Sequence, residues 1–408
     1  MANDCDVLIV GGGLNGSVLA LALAQGGLSS IVLDAQPAAV QAAPDFDGRA
    51  YALALGSRRM LAALGLWRGL ADQAQAIEEI KISDGRAGEG PARLFLHFEG
   101  QEIDQGPMGH VIEDRYLRGA LLAAMAAEPL VSHRPSSPVV GQAILPGRAE
   151  ATLADGTTLG GALLVACDGR ESRVAARAGI RRRGRDYRQT SLVAAVAHAQ
   201  PHSGIAHQLF MPEGPLAILP LPGNRSSIVW TETAGRAAAI SALDVAGCLA
   251  ALRPRFGDFL GEIELVGARY SYPLGLSLAE RCAMPRLALV GDAAHGIHPL
   301  AGQGLNLGLR DVATLAEVVV AAHRRGQDIG AADVLDGYAR WRRFDIAALA
   351  AATDGINRLF SNDNPVLRLG RVLGLGLIDR LPPLRRALIA EAAGLAGDLP
   401  ALLRGRPL

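Results

Sequence analysis

The sequence predicts an α/β protein: a nucleotide-type parallel sheet, a second sheet inserted into it, and a helical C-terminal region. Three observations carry this expectation. Short apolar strands ending in glycine or aspartate recur near residues 10, 168 and 292. Runs with a period of two fill the intervals between them, and helical periodicity returns towards the C-terminus.

The first element is the strand Asp6–Val10 (DVLIV), followed by Gly11-Gly12-Gly13-Leu14-Asn15-Gly16 and the helical run Ser17–Gln25. Gly11 permits the tight turn, Gly13 the approach of a pyrophosphate, and Gly16 close helix–strand packing. A second strand, Ser30–Leu33, ends in Asp34, placed to accept hydrogen bonds from an adenosine ribose. A glycine loop alone is weak evidence. Strand, loop, helix and terminal acid in this order favour dinucleotide binding over a structural turn.

The middle element, Leu163–Ile180 (LLVACDGRESRVAARAGI), is another strand, ending in Asp168-Gly169 with Ser172 set to start a helix. On its own it is an ordinary turn and N-cap. Its weight comes from its order relative to the other two.

The segment Leu287–Asp311 (LALVGDAAHGIHPLAGQGLNLGLRD) is the most informative. A strand, Leu287–Val290, delivers Asp292 at the carboxyl edge of a sheet, where α/β proteins place ligands. Gly302 and Gly304 strip side chains from the loop, and the helix beginning near Gly304–Asn306 aims its positive end at the same point. A carboxylate for a polyol and a helix N-terminus for an anionic ring fit a flavin.

Alternating runs lie at Ile80–Phe98 and Thr190–Tyr272, the latter including LAILPL and SSIVWTET around a hairpin turn at Pro222-Gly223-Asn224. They predict an inserted antiparallel β-sheet substrate domain. Helices are expected over Asp244–Phe256, Ala313–Arg325 and Val334–Asn357. The expected division is a discontinuous Rossmann-like FAD-binding domain at 1–74, 106–180 and 275–343. The sheet domain takes 75–105 and 181–274, and the C-terminal helical region 344–408. The tail Leu367–Leu395 reads first as a helical pair packed on the flavin domain. Its RLPPLRRALI stretch also suits an amphipathic surface for a membrane or a partner.

Composition sets bounds. The 408 residues are 50% apolar, yet no uninterrupted apolar run has the roughly 18–20 residues that span a bilayer. No signal-peptide pattern precedes the first glycine loop, so a cytosolic location or the adjoining membrane face is expected. Lys plus Arg and Asp plus Glu both total 40, which removes the electrostatic case for nucleic acid. The four cysteines form no CxxC pair, and no His/Cys cluster has metal-ligand spacing.

With its three elements in this order, the chain resembles the p-hydroxybenzoate-hydroxylase superfamily of FAD monooxygenases. HPLAGQGLNLGLRD (His298–Asp311) is similar to the signature of the ubiquinone-biosynthesis hydroxylases, the UbiH/UbiF type. Asp47–Trp67, His110–Leu122, Gly214–Glu232 and Leu359–Arg371 match the same branch, so the resemblance covers nearly the whole chain. It implies non-covalent FAD, NAD(P)H and oxygen as co-substrates, and hydroxylation of a polyprenylated phenol. Other ubiquinone-synthesis proteins and a peripheral contact with the inner membrane are implied as partners. Cofactor-binding residues implied by motif and resemblance together are Gly11, Gly13, Gly16, Asp34, Arg49, Arg115, Asp168, Asp292, Pro299, Gly302, Gln303, Gly304 and Asn306. His298 is the candidate acid/base group. The chain departs from the family at Ala175, where an arginine is usual; Arg173 and Arg177 flank it. Leu216–Leu221 and Ile228–Trp230 are expected to line an apolar substrate pocket. Two other readings are a hydroxylase of a small soluble aromatic, with Arg225 for a carboxylate, and a flavin-binding scaffold subunit.

Overall fold

The computed structural model describes residues 3–103 and 105–408. Val131–Arg134, Ser30–Leu33, Cys5–Val10, Thr158–Ala166 and Leu287–Leu289 lie side by side in that order, all parallel. The first strand sits between the second and the later ones, so strand order reverses beside it. That reversal opens a crevice at the carboxyl edge.

Both faces of the inner strands are buried, which is why they read as apolar runs, whereas the edge strand Val131–Arg134 (VSHR) is only partly covered. Val7 and Ile9 point into a cluster with the helices Leu14–Gln25, Asp114–Ala127 and Gln303–Arg324. Leu8 and Val10 point the other way, into a cluster shared with the antiparallel strands Val139–Leu145 and Arg148–Leu153 and the short helix Arg173–Arg177.

The second sheet has nine strands. Its spine is the antiparallel pair Arg182–His198 and Ile263–Ala279. Arg225–Thr233, Leu216–Leu221, Ile205–Phe210 and Glu79–Arg86 follow outward from it. Leu221 opposes Arg225 across the expected hairpin, with Gly223 at φ +77°. One join departs from the antiparallel expectation: Ile205–Phe210 and Glu79–Arg86 run parallel. These strands come from separate excursions of the chain, and alternation specifies which side chains are buried, not strand direction.

A second correction concerns the faces of this sheet. Leu216, Ile218, Ile228 and Trp230 pack beneath the helices Ala234–Ser241 and Val245–Phe256, on the side away from the glycine loops. They belong to a core, not a substrate pocket. The opposite face presents Phe210, Leu219 and Leu221 to Leu300 of the Gly-rich loop.

The tail forms the helices Pro365–Asp379 and Pro382–Ala392. Asn364 caps the first by accepting hydrogen bonds from the amides of Val366 and Leu367, and Pro365 fits its first turn. The pair packs mainly on the second sheet rather than on the expected flavin domain. Leu375 and Ile389 join Leu96 and Phe98, Arg371 pairs with Asp84 at 2.7 Å, and Arg385 with Glu102 at 2.9 Å. Among the described residues no helix is long and apolar enough to cross a membrane.

Candidate functional site

The strand ends converge through contacts that glycine alone allows. Gly11 has φ +104°, and a Cβ there would lie 2.4 Å from the Cys167 carbonyl oxygen. A Cβ on Gly16 would come within 2.0 Å of the Gly11 carbonyl. Asn15 wedges between the first and last elements: Cβ atoms on Gly291 and Gly308 would sit 2.3 Å and 2.5 Å from its side-chain nitrogen. Gly13 and Gly304 differ. Neither has positive φ, and a Cβ on either would meet nothing within 4 Å. The protein itself has no steric need for glycine at these two positions. The open space beside them fits a ligand approaching the backbone.

Three carboxylates stand along this edge in different states. The Asp292 carboxylate is half-buried and takes no hydrogen bond among the described residues. Its backbone turn is clamped by Arg182, which donates to Ser277 Oγ at 2.8 Å and to the carbonyls of Asp292 (3.1 Å) and Ala293. Asp168 accepts the Val174 amide at 3.1 Å through Oδ2, while its buried Oδ1 has no partner. Asp34 accepts the amides of Gly12 at 2.8 Å and Gln36 at 2.7 Å. It shapes the glycine loop, and each oxygen keeps a lone pair for a hydroxyl donor.

The helix Gln303–Arg324 begins after Gly302, at φ +64°, and no side chain caps it. Its first amides are therefore free to bind an anion or a polarised carbonyl. Pro299 leads into the tight turn Leu300–Gly302, and Gln303 lines a small void of about 30 Å³ behind the helix start with Asn306. The Asn306 amide is committed to protein. It accepts from the Ala54 amide (2.9 Å) and the Ser57 hydroxyl (2.8 Å), and donates to the Ala52 carbonyl (2.9 Å). It holds the loop against the strand Ala50–Ala54.

One turn further along, Asp311 is fully buried. It accepts from the Gly291 amide at 2.9 Å, His295 Nε2 at 2.5 Å and Arg342 Nε at 2.7 Å. Burial opposes its ionisation, but the His295 and Arg342 charges hold its carboxyl below the ordinary range. This network fixes the turn that presents Asp292. His298 is also fully buried, and neither ring nitrogen has a partner. It meets the Tyr187 ring edge-on at 5.4 Å. Burial, aided by the nearby Arg170 charge, pushes its pKa down to about 4, so it is neutral at pH 7. Tyr187 donates to Asp354 at 3.1 Å, and burial raises its pKa to about 12.

The two candidate arginines carry carboxylate partners. Arg49 pairs with Asp47 at 2.6 Å and Asp114 at 3.3 Å. Arg115 donates to the buried Glu113 at 2.7 Å. Arg225 lies 2.8 Å from the other Glu113 oxygen without hydrogen-bond alignment, so it too is compensated. Ala175 is buried, its amide on Ser172 Oγ at 3.0 Å. Arg177 turns away to Gln142 at 3.2 Å and Arg173 is exposed. Neither guanidinium fills the place of an arginine at position 175.

Asn15, Arg182, Asp311 and Arg342 carry much of the geometry, yet none was singled out from sequence. Asn15 and Asp311 lie inside motifs and were discernible there. Arg182 and Arg342 had no local signal, because their partners are distant in the chain. A cleft of about 770 Å³ opens elsewhere, between the far face of the second sheet and the end of helix Val245–Phe256. It touches none of the glycine loops, so convergence of strand ends outweighs cavity size here.

Residues 4–353 match the family described as FAD binding domain. The chain is 46% identical to ubiquinone hydroxylase UbiL of Rhodospirillum rubrum, over 99% of this chain and 93% of that protein. It is 33% identical to 3-demethoxyubiquinol 3-hydroxylase of Escherichia coli, over 96% and 98%. Among solved structures, p-nitrophenol 4-monooxygenase PnpA from Pseudomonas putida shares the fold, with TM-score 0.79, 20% identity and coverage of 97% and 99%.

Proposed function

We propose a function from the premise that this chain belongs to the FAD-binding-domain family, of which the ubiquinone hydroxylases are members. It is an FAD-dependent monooxygenase that hydroxylates the ring of a polyprenylated phenol or quinol in ubiquinone synthesis. NAD(P)H is the electron donor, and FAD is bound without a covalent link. What supports this most directly is the pair of glycines with open space, Gly13 and Gly304, beside uncapped helix N-termini and the free Asp292 carboxylate.

When bound, FAD supplies electron transfer from NAD(P)H and the activation of oxygen. The chain's own residues bind and orient. Backbone amides after Gly13 take the pyrophosphate, Asp34 the adenosine ribose and Asp292 the ribityl hydroxyls. The amides opening the helix Gln303–Arg324 stabilise negative charge on the ring. His298, neutral and unpartnered, can accept or hold a proton at either ring nitrogen. Phe210, Leu219 and Leu221 exclude water from the face above the Gly-rich loop.

The tail should dominate substrate affinity, because each buried CH₂ contributes about 0.8 kcal/mol and several isoprene units outweigh any polar contact to the ring. The test compares coupled turnover on one phenol with and without a prenyl chain. We expect higher kcat/KM on the prenylated phenol. Equal or better turnover on the bare phenol would overturn the quinone-pathway reading and favour a small soluble aromatic.

A further inference from the structure

The outer face of the helix Pro365–Asp379 is aliphatic and exposed. Val366 is 77% exposed, Leu369 62%, Leu373 55% and Leu377 61%. Their spacing of three and four residues places them on one side of the helix, and Leu381 and Leu384 continue the apolar strip beyond its end. The inner face is a proper core: Leu375 packs with Leu96, Phe98 and Phe210, in the cluster that also holds Leu300 of the Gly-rich loop. The helix is thus apolar on both sides, and only one side is covered. Exposed aliphatic side chains concentrated in this way mark an interaction surface.

Charge identifies the occupant. In a chain with no net charge, the two tail helices and their cap, residues 364–392, carry Arg368, Arg371, Arg380, Arg385 and Arg386 against two acids, Asp379 and Glu391. Arg371 and Arg385 are spent on Asp84 and Glu102, and Arg368 also on Asp84. Arg380 and Arg386 are exposed and have no ion pair among the described residues. A second copy docked here through a two-fold axis would bring these free cations face to face. A protein partner would be expected to meet aromatic anchors and hydrogen-bonding groups, which the strip lacks. Aliphatic side chains flanked by free guanidinium groups suit a bilayer, whose acyl region takes the leucines while its phosphates take the arginines.

We propose that this face, Val366 to Leu384, docks the protein on the surface of an anionic lipid bilayer. The same helix then has bilayer on one side and the flavin-facing surface of the second sheet on the other. An apolar tail can pass from lipid to site around a single element. Only this last consequence rests on the reading of a prenylated substrate; docking itself does not.

The experiment is flotation of the full-length FAD-loaded protein with phosphatidylcholine vesicles, with and without phosphatidylglycerol and free of any quinone or phenol. Wild type should float with the anionic vesicles, less at high salt. Leu369→Ser/Leu373→Ser/Leu377→Ser should bind about tenfold more weakly or worse. Arg380→Gln/Arg386→Gln removes no apolar contact and should lose only the preference for anionic lipid, about fivefold per arginine. Flavin content reports folding of each variant, and the arginine pair tests the surface even if the serine variant fails to load. Flotation unchanged in both variants, or no flotation of wild type, overturns the proposal. So does a wild-type dimer that the serine substitutions convert to monomer, which would make the strip a self-association surface. The prenyl-chain comparison in detergent is scored separately, so either reading can fail alone.

Discussion

Glycines that look alike in the sequence do different jobs. Gly11, Gly16 and Gly291 are dictated by protein contacts, whereas Gly13 and Gly304 face open space. Substitution at Gly13 should therefore spare the fold and spoil the cofactor site. Gly13→Val is expected to give a soluble protein with wild-type circular dichroism and little bound FAD. Asp292→Ala removes charge-assisted hydrogen bonds of roughly 1.5–3 kcal/mol, which lowers FAD affinity by about 10- to 100-fold. The absorbance near 450 nm of purified protein, a region where bound flavin absorbs, reads both. Full wild-type flavin content in both variants means these loops are misassigned. At this scale, residues whose role is set by their own strand end, such as Gly11 and Asp292, were legible in the sequence. Asn306 shows the limit. Its place in the motif was plain, but its side chain clamps Ala52, Ala54 and Ser57. That role depends on a strand some 250 positions earlier, which no local pattern encodes.

Among the elements, the helix Gln303–Arg324 does the most. Its start is uncapped, its first turn is clamped through Asn306, and its third carries Asp311 to the Gly291 turn. If its amides stabilise the reduced anionic ring, a bulky side chain at Gly304 pushes the ring away and weakens that effect. Gly304→Val should lower the flavin midpoint potential and raise hydrogen peroxide released per NAD(P)H consumed. Potentiometric titration against wild type checks this, and an unchanged potential would count heavily against a role for the helix end. Element types were largely legible, since period two and period 3.6 are properties of the chain itself. Pairing was not. The parallel join of Ile205–Phe210 with Glu79–Arg86 and the inward turn of Leu216, Ile218 and Trp230 depend on which neighbour arrives. The helix starting at Ala332 likewise shows no sign in sequence that Arg342 will reach Asp311.

Across the whole molecule, two partly buried histidines tie layers together. His110, on the strand Gly109–Glu113, meets Trp67 edge-on at 4.8 Å, and His207, on the strand Ile205–Phe210, lies against Phe259 at 4.7 Å. Burial first, then the nearby Arg58 and Lys81 charges respectively, pushes each down to about 4. The sign follows from linkage. Above the ordinary histidine value of about 6.5, folded and unfolded chains are both neutral and neither histidine affects stability. Below it the unfolded chain takes up protons that the folded chain refuses until about pH 4. Stability therefore falls through that window, by on the order of 1 kcal/mol for each histidine at pH 5. Carboxylates held low by cationic partners, such as Asp311 and Asp47, add their loss only below the ordinary carboxylate range, so acid unfolding should begin with the histidines. Neither ring contacts the strand-end loops, so the effect is separable from flavin binding. His110→Phe/His207→Phe should narrow the gap in Tm between pH 7 and pH 5 relative to wild type while keeping the flavin. The same gap in both proteins would place the acid sensitivity elsewhere, first at His298, whose two unpartnered nitrogens lie beside the loop that sequence alone had marked.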